Sequence, residues 1–152
     1  MRIREATIED ASALADIFIA ARAHMPYLNP ALHTRAETRT FIYNLVSSQK
    51  VLLAERDGIL GFAAFEPGWL HHLYVHPARQ NAAAGTLLME AAKKFMPQGF
   101  SLWVFQANLG ARRFYRRHGC HLVKATDGRE NEEKLPDMAL RWPGHKKVRE
   151  KV

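Results

Sequence analysis

The chain has 152 residues, 47% of them apolar and 24% charged, with one cysteine (Cys120) and a formal net charge of +7. That length accommodates one domain with a hydrophobic core, and the balance is that of a globular protein, which excludes a collagenous, disordered or disulfide-stapled chain. No apolar run reaches the roughly 20 residues of a membrane span, and the opening MRIREATIED lacks the apolar stretch of a secretory signal, so a cytoplasmic protein is expected.

Residues 2–6, RIREA, alternate as a short strand. Thr7 to Asp10 then offer a cap with an acid three residues on, ahead of the helical stripe Ala11, Leu14, Ala15, Ile17 and Phe18. Pro26 closes that helix, PYLNPALHT reads as a loop, and Thr34 caps a second helix carrying Phe41, Ile42 and Leu45. VLLAERDGILGFAAFEPGWLHHLYV reads as three strands, with turns at Asp57–Gly58 and Pro67–Gly68. A helix follows from about Ala83 to Phe95, then the strand FSLWVF, a helix from Asn108 to about His118 stopped by Gly119, and the strand CHLVKA. The polar loop TDGRENEEKLP leads into a last strand, DMALRW, which gives a domain over 1–143. The ending HKKVREKV sets Lys146, Lys147, Arg149 and Lys151 against Glu150, +3 of the total charge, so residues 144–152 read as a solvated basic tail.

The order β-α-α-β-β-β-α-β-α-β-β predicts an α/β (α+β) fold. Its core is a single mixed, mostly antiparallel sheet of about seven strands, flanked by about four helices. The strands joined through the third and fourth helices are free to run parallel.

The stretch VHPARQNAAAGTLLMEAAKK, residues 75–94, places small residues where a strand feeds a helix. Unpaired N–H groups from Asn81 through Ala82, Ala83, Ala84 and Gly85 to Thr86 would converge there, next to the positive end of the helix dipole. An anion such as pyrophosphate suits that cradle; packing of small residues against the sheet explains it equally.

At this junction the chain resembles the GCN5-related N-acetyltransferases. Their pattern V-x-P-x-x-(R/Q)-x-x-G-x-(G/A) is met by Val75, Pro77, Gln80, Ala83 and Gly85, with alanine at 83 in place of the middle glycine and Asn81 in place of another common glycine. An alanine in helical conformation would still present its N–H. The second family pattern, N-x-x-A-x-x-F-Y-x-x-x-G, is met by Asn108, Ala111, Phe114, Tyr115 and Gly119, after the strand expected to precede it. The resemblance runs over about residues 2–142.

What the resemblance implies is an acetyl-CoA-dependent N-acetyltransferase acting on a primary amine of a small molecule or peptide by direct attack, without metal. The pantetheine arm would lie between the strand through Leu73 and Val75 and the strand SLWVF, paired to backbone as an added strand would be. The family position for the acid that meets the departing thiolate is Tyr115. His72, on the central strand, is the candidate base; Glu66, Glu132 and Glu133 are its rivals. Strand alternation sends His71 to the other face, so one of the two histidines should line the cleft. Adjacent strand residues diverge, so His71, His72 and His76 make no convincing metal set.

Acceptor selectivity is expected from the loop ARAHMPYLNPALHT, with Tyr27 and His33, and from the late loop with Glu132 and Glu133. The late loop has more acids than bases, which favours a cationic amine. Arg79, Arg112, Arg113, Arg116 and Arg117 surround the cofactor region. Two other classes stay open: a catalytically silent acyl-CoA-binding module, and a nucleic-acid binder using the arginines and tail, for which no recognition helix or stacking motif is present. No membrane partner is expected, and the resemblance allows a homodimer.

Overall fold

A computed structural model describes residues 1–145; the basic tail lies outside the described residues from 146 onward, as do the side chains of Asn81 and Ala82. Strands β1 (Arg2–Glu5), β2 (Lys50–Glu55), β3 (Ile59–Glu66), β4 (Trp69–Val75), β5 (Phe100–Phe105), β6 (His121–Thr126) and β7 (Asp137–Trp142) form one sheet in the order β1-β2-β3-β4-β5-β7-β6. Neighbours are antiparallel throughout, apart from β4 and β5. Helices α1 (Ala11–Ala23), α2 (Arg35–Ser48), α3 (Ala84–Phe95) and α4 (Leu109–Arg117) complete the fold, matching the predicted class and element order. Strands β5 and β6, joined through α4, do run the same way, but β7 is inserted between them.

The local signals act as their chemistry dictates. The Thr34 hydroxyl accepts from the Glu37 N–H at 3.1 Å while the Thr34 N–H donates to the Glu37 carboxylate at 3.1 Å, a reciprocal cap on α2. Ahead of α1, the Thr7 N–H donates to the Asp10 carboxylate at 2.8 Å, and the Arg4 guanidinium forks onto the same group at 2.9 Å to each oxygen. Arg4 is the main reason the Asp10 carboxyl is held down at about 2.

The two faces of the sheet carry separate cores. Leu14, Ile17, Ile42 and Leu45 of α1 and α2 pack on Val51, Leu53 and Phe62. On the other face the α3 stripe Ala84, Leu88, Met89 and Ala92 packs on Leu60, Phe100 and Leu102, with Tyr115 of α4 in the same cluster. Strands β3 and β4 approach so closely that a Cβ on Gly61 would stand 2.5 Å from the Tyr74 carbonyl oxygen, so only glycine fits there.

The β3–β4 ladder contains one irregularity. Ala64 pairs with His72 but Phe65 pairs with Leu70, leaving His71 as an extra residue in β4. This bulge resets the alternation. Leu70, Leu73 and Val75 join the α3 side, while His72 and Tyr74 point to the aromatic side chains of α1 and α2.

Candidate active site

Strand β5 keeps register with β7 over six pairs and β4 stays paired with β3 on both sides of the bulge, but β4 and β5 share one pair, Trp69 with Ser101. Beyond it the two parallel strands part. The sheet opens as a V whose cavity, about 930 Å³, is walled by β4 from Leu70 to Tyr74, β5 from Trp103 to Phe105, and Asn108, Ala111 and Tyr115. Along this wall the β4 edge has no ladder partner among the described residues, which leaves backbone groups to pair with an extended ligand.

At the far end of β4 the chain makes a 3-10 turn over Pro77–Ala82, and α3 begins at Ala84. Ala83 between them has φ 62° and ψ 11°, left-handed, so the expectation of a helical alanine is corrected. Helical geometry followed by left-handed geometry turns successive N–H groups to one side, a backbone nest. The first bond of α3 runs from the Leu87 N–H to the Ala83 carbonyl at 3.1 Å, so the N–H groups of Ala84, Gly85 and Thr86 precede the ladder. Ala84 is fully buried against the sheet, so packing accounts for its size. Gly85 differs, because a Cβ there would only touch Phe114 at 3.4 Å and Val75 at 3.7 Å, ordinary contacts. Gln80 is exposed on the turn, and Thr86 is exposed with its hydroxyl 3.5 Å from His118 Nε2.

Helix α4 turns Ala111, Phe114 and Tyr115 inward at i, i+3 and i+4, with Asn108 as its cap, the Asn108 side-chain Oδ1 accepting from the Ala111 N–H at 3.1 Å. Tyr115 is buried in the cavity wall, and burial, reinforced by Tyr74 and Cys120, raises its phenol above the usual range. It is therefore a neutral hydrogen-bond donor at any working pH. Burial likewise pushes the Cys120 thiol up to about 11, so it stays protonated. Arg112 is spent on the Gln106 carbonyl at 2.8 Å and Arg79 on the Arg56 carbonyl at 2.9 Å, whereas Arg113, Arg116 and Arg117 are exposed.

His72 lies among Phe41, Tyr74 and Phe18, with ring centroids at 5.5, 6.0 and 6.1 Å. Burial, then the neighbouring charges of His71 and Arg22, lowers it to about 4. Both His71 and His72 line the cavity, contrary to the alternation argument, because the bulge at His71 breaks the two-residue period. His71 meets Glu66 at 3.3 Å and stacks on Trp69, which is exposed.

The acceptor end differs most from expectation. His33 and Glu132 pair with each other at 2.7 Å on the surface, outside the cavity lining. Tyr27 packs its ring on Phe105 at 5.8 Å and its hydroxyl is buried, also outside the lining. Glu133 does line the cavity, paired with Arg22 at 3.3 Å, so the excess of acid in the late loop is offset in part from α1. The late loop is braced by its own hydrogen bonds: the Asn131 amide donates to the Leu135 carbonyl at 2.7 Å and to the Asp137 carboxylate at 3.1 Å, and the Thr126 hydroxyl donates to Asp137.

Arg22, Tyr74, Trp103 and Lys124 are cavity residues that sequence reasoning did not single out. For Arg22 a signal existed. It falls four residues after Phe18 and extends the apolar stripe of α1 with a cation.

A cleft between splayed parallel strands, an N–H nest where β4 leads into α3 and a buried phenol in the cleft wall define an acyl-CoA-binding fold. A family model described as Acetyltransferase (GNAT) family matches residues 16–120, and the chain belongs to that family, whose members use acetyl-CoA. Similar solved structures include apo-form YjaB from Escherichia coli, 21% identical, with a TM-score of 0.76 over 95% of this chain and 98% of that one. The putative acetyltransferase yncA from Salmonella typhimurium, solved with acetyl-CoA, is 18% identical, with a TM-score of 0.74 over 97% and 96%. Ribosomal-protein-alanine N-acetyltransferase from Brucella melitensis is 19% identical, with a TM-score of 0.71 over 94% and 99%. At these identities the likeness is one of fold. No curated protein sequence matches the chain significantly. Among the described residues no helix is long and apolar enough to cross a membrane.

Proposed function

We propose that this acetyltransferase, a single unit over residues 1–143, moves the acetyl group of acetyl-CoA to a primary amine of a small molecule or peptide by direct attack in a ternary complex. The observation that carries the reading is the unpaired β4 edge opposite β5, with Tyr115 in the same cavity. The site fits the cofactor on two further counts: the left-handed Ala83 turns N–H groups toward an anion, and residue 85 is glycine although packing alone would admit a Cβ there.

Bound acetyl-CoA supplies a thioester whose carbonyl carbon gains a C–N bond as the C–S bond breaks. The β4 backbone at Leu73 and Val75 orients the arm, and an N–H of that strand polarises the carbonyl. Tyr115 donates its phenolic hydrogen bond to the sulfur that gains negative charge. His72, neutral above about pH 4, offers a lone pair to the amine but is too weakly basic to take its proton outright. Of the three rival carboxylates, Glu133 reaches this cavity, where it accepts a hydrogen bond from the amine and passes its proton on to solvent. Starting from the ammonium form, the acceptor loses one proton to solvent before it attacks and a second as the amide forms. That second proton is matched by the one the departing thiolate gains, so amide, free thiol and one solvent proton balance the step. A reducing, cytoplasmic setting suits the single buried thiol, Cys120.

Calorimetry with acetyl-CoA, together with thiol release over a panel of amines, tests this. Binding accompanied by amine-dependent release is expected. Tight binding with no release from any amine would reduce the protein to a silent acyl-CoA-binding module.

A further inference from the structure

We infer that the acceptor carries a carboxylate next to its amine, as a free amino acid does, and that Arg22 and Glu133 are the pair that reads it. The inference rests on the acetyl-transfer reading above and names the substrate class of the same cavity.

Arg22 stands where α1 meets the cavity, its guanidinium 5.1 Å over the Phe18 ring. Among the described residues its side chain makes two hydrogen bonds, one to the Tyr74 hydroxyl at 3.4 Å and one to Glu133 at 3.3 Å. Both are single and long. The same chain shows what a closed arginine–carboxylate pair looks like, since Arg4 grips both oxygens of Asp10 at 2.9 Å. A guanidinium has five N–H donors and a carboxylate room for about four hydrogen bonds, so the Arg22–Glu133 pair leaves most of its capacity unused.

That unused capacity is held in a costly place. The side chains of Arg22 and Glu133 are 21% and 19% exposed, on the wall of a cavity partly closed to water. Half-buried charges held apart by a loose contact gain from a ligand that completes both. Close by, the Tyr27 hydroxyl is buried without a protein partner among the described residues, with Tyr74 and Arg22 as its charged or polar neighbours.

The required ligand presents an anion to Arg22 and a cation to Glu133 within a few ångströms. An amine bearing a carboxylate on the adjacent carbon does so and adds no net charge to the pair. A simple cationic amine would satisfy Glu133 but sit against the Arg22 charge, with nothing to complete the guanidinium. The carboxylate thus fixes the acceptor by its non-reacting end, while Glu133 holds the nitrogen that attacks.

The test compares initial rates of thiol release for free amino acids, their carboxamides and the corresponding decarboxylated amines. The free acids should show a kcat/KM about 10- to 100-fold above the carboxamides, the range of one charge-assisted hydrogen-bonded contact. Arg22→Gln should bring that ratio to about one, and Arg22→Lys should restore part of it. A purely structural arginine would lower the melting temperature of Arg22→Gln without moving the ratio. The wild-type comparison needs no variant, so misfolding of Arg22→Gln does not shield the inference. Equal rates for acids, carboxamides and decarboxylated amines would overturn it while leaving acetyl transfer intact. No release from any of the three classes would overturn it as well, and no release from any amine of the wider panel would overturn both readings.

Discussion

Replacing Ala83 by glycine probes the junction on which the cofactor site depends. Ala83 sits at φ 62° and ψ 11°, directly before the first residue of α3, with its side chain exposed. For an L-residue the left-handed conformation costs roughly 1–2 kcal/mol, because Cβ crowds the following carbonyl. Glycine escapes that crowding but loses about 0.5–1 kcal/mol more chain entropy on folding. The difference stabilises Ala83→Gly by about 0.5–1 kcal/mol, and for a domain of this size each kcal/mol moves Tm by roughly 2–4 °C. A rise of about 1–4 °C in a calorimetric melt is therefore expected. Acetyl-CoA affinity, measured by titration, should hold or tighten, since the N–H directions are unchanged and one methyl leaves the anion's approach. Ala83→Val should do the reverse, lowering Tm, because a β-branched residue fits this region worse than alanine. If glycine left Tm unchanged or lowered it while valine was tolerated, residue 83 would not be left-handed, and the nest argued from it would go too.

Gly85→Ala should fold normally, because its Cβ would meet Phe114 at 3.4 Å and Val75 at 3.7 Å without overlap, whereas Gly85→Glu should abolish acetyl-CoA binding at concentrations that saturate the parent; undiminished affinity in that variant would contradict the cradle. Tyr115→Phe should lower kcat by about 10²-fold or more while leaving the Kd for acetyl-CoA within about twofold, and equal turnover at saturating substrate would remove the acid role. With His72 lowered to about 4, the pH profile of kcat/KM should keep the same shape between pH 6 and 7 in His72→Gln as in the parent. A limb near 6.5 that the substitution abolishes would show His72 titrating as the base. Asp10 is the clearest acid-labile contact: its folded value of about 2 lies below the unfolded value, so its contribution is present above about pH 4 and lost as pH falls toward 2. Asp10→Asn should cost on the order of 1 kcal/mol at pH 7 and flatten that acid limb of the stability profile.

The parts of this fold that were legible are those encoded within a few residues. Thr34 with Glu37, Thr7 with Asp10, and the Asp57–Gly58 turn are local bargains between a side chain and its own backbone, and each forms where its spacing places it. What was illegible depends on contacts distant in the chain. Nothing near Gly61 announces that the Tyr74 carbonyl will pass so close to it. Nothing in HHLY announces that His71 will be an extra residue, because a bulge is decided by how two strands twist against each other. The placement of the acceptor loops was illegible for the same reason. His33 and Glu132 lie on loops that converge only in three dimensions, and they spend their charges on each other, while Arg22, on the apolar stripe of α1, is among the charges that do line the cavity.

The bulge at His71 also explains how one strand serves both halves of the reaction. Without it, Leu70 and Leu73, three residues apart, would face opposite sides of the sheet. With it, Leu70, Leu73 and Val75 all face the α3 side, where the nest and Tyr115 lie, while His72 and Tyr74 face the α1 and α2 side, where Arg22 and Phe18 lie. The edge of β4 that parts from β5 is the boundary between these two environments, so an acyl group lying along it is exposed to a phenol on one flank and to the acceptor charges on the other. Restoring strict alternation by deleting His71 should therefore disturb acceptor and cofactor recognition together. A residue that mattered to one side alone would disturb one and spare the other. Acetyl-CoA titration and acceptor kinetics on that deletion variant, compared with the simple His71→Ala substitution, separate the two: loss of both functions in the deletion and of neither in the substitution identifies the register, not the imidazole, as what His71 contributes.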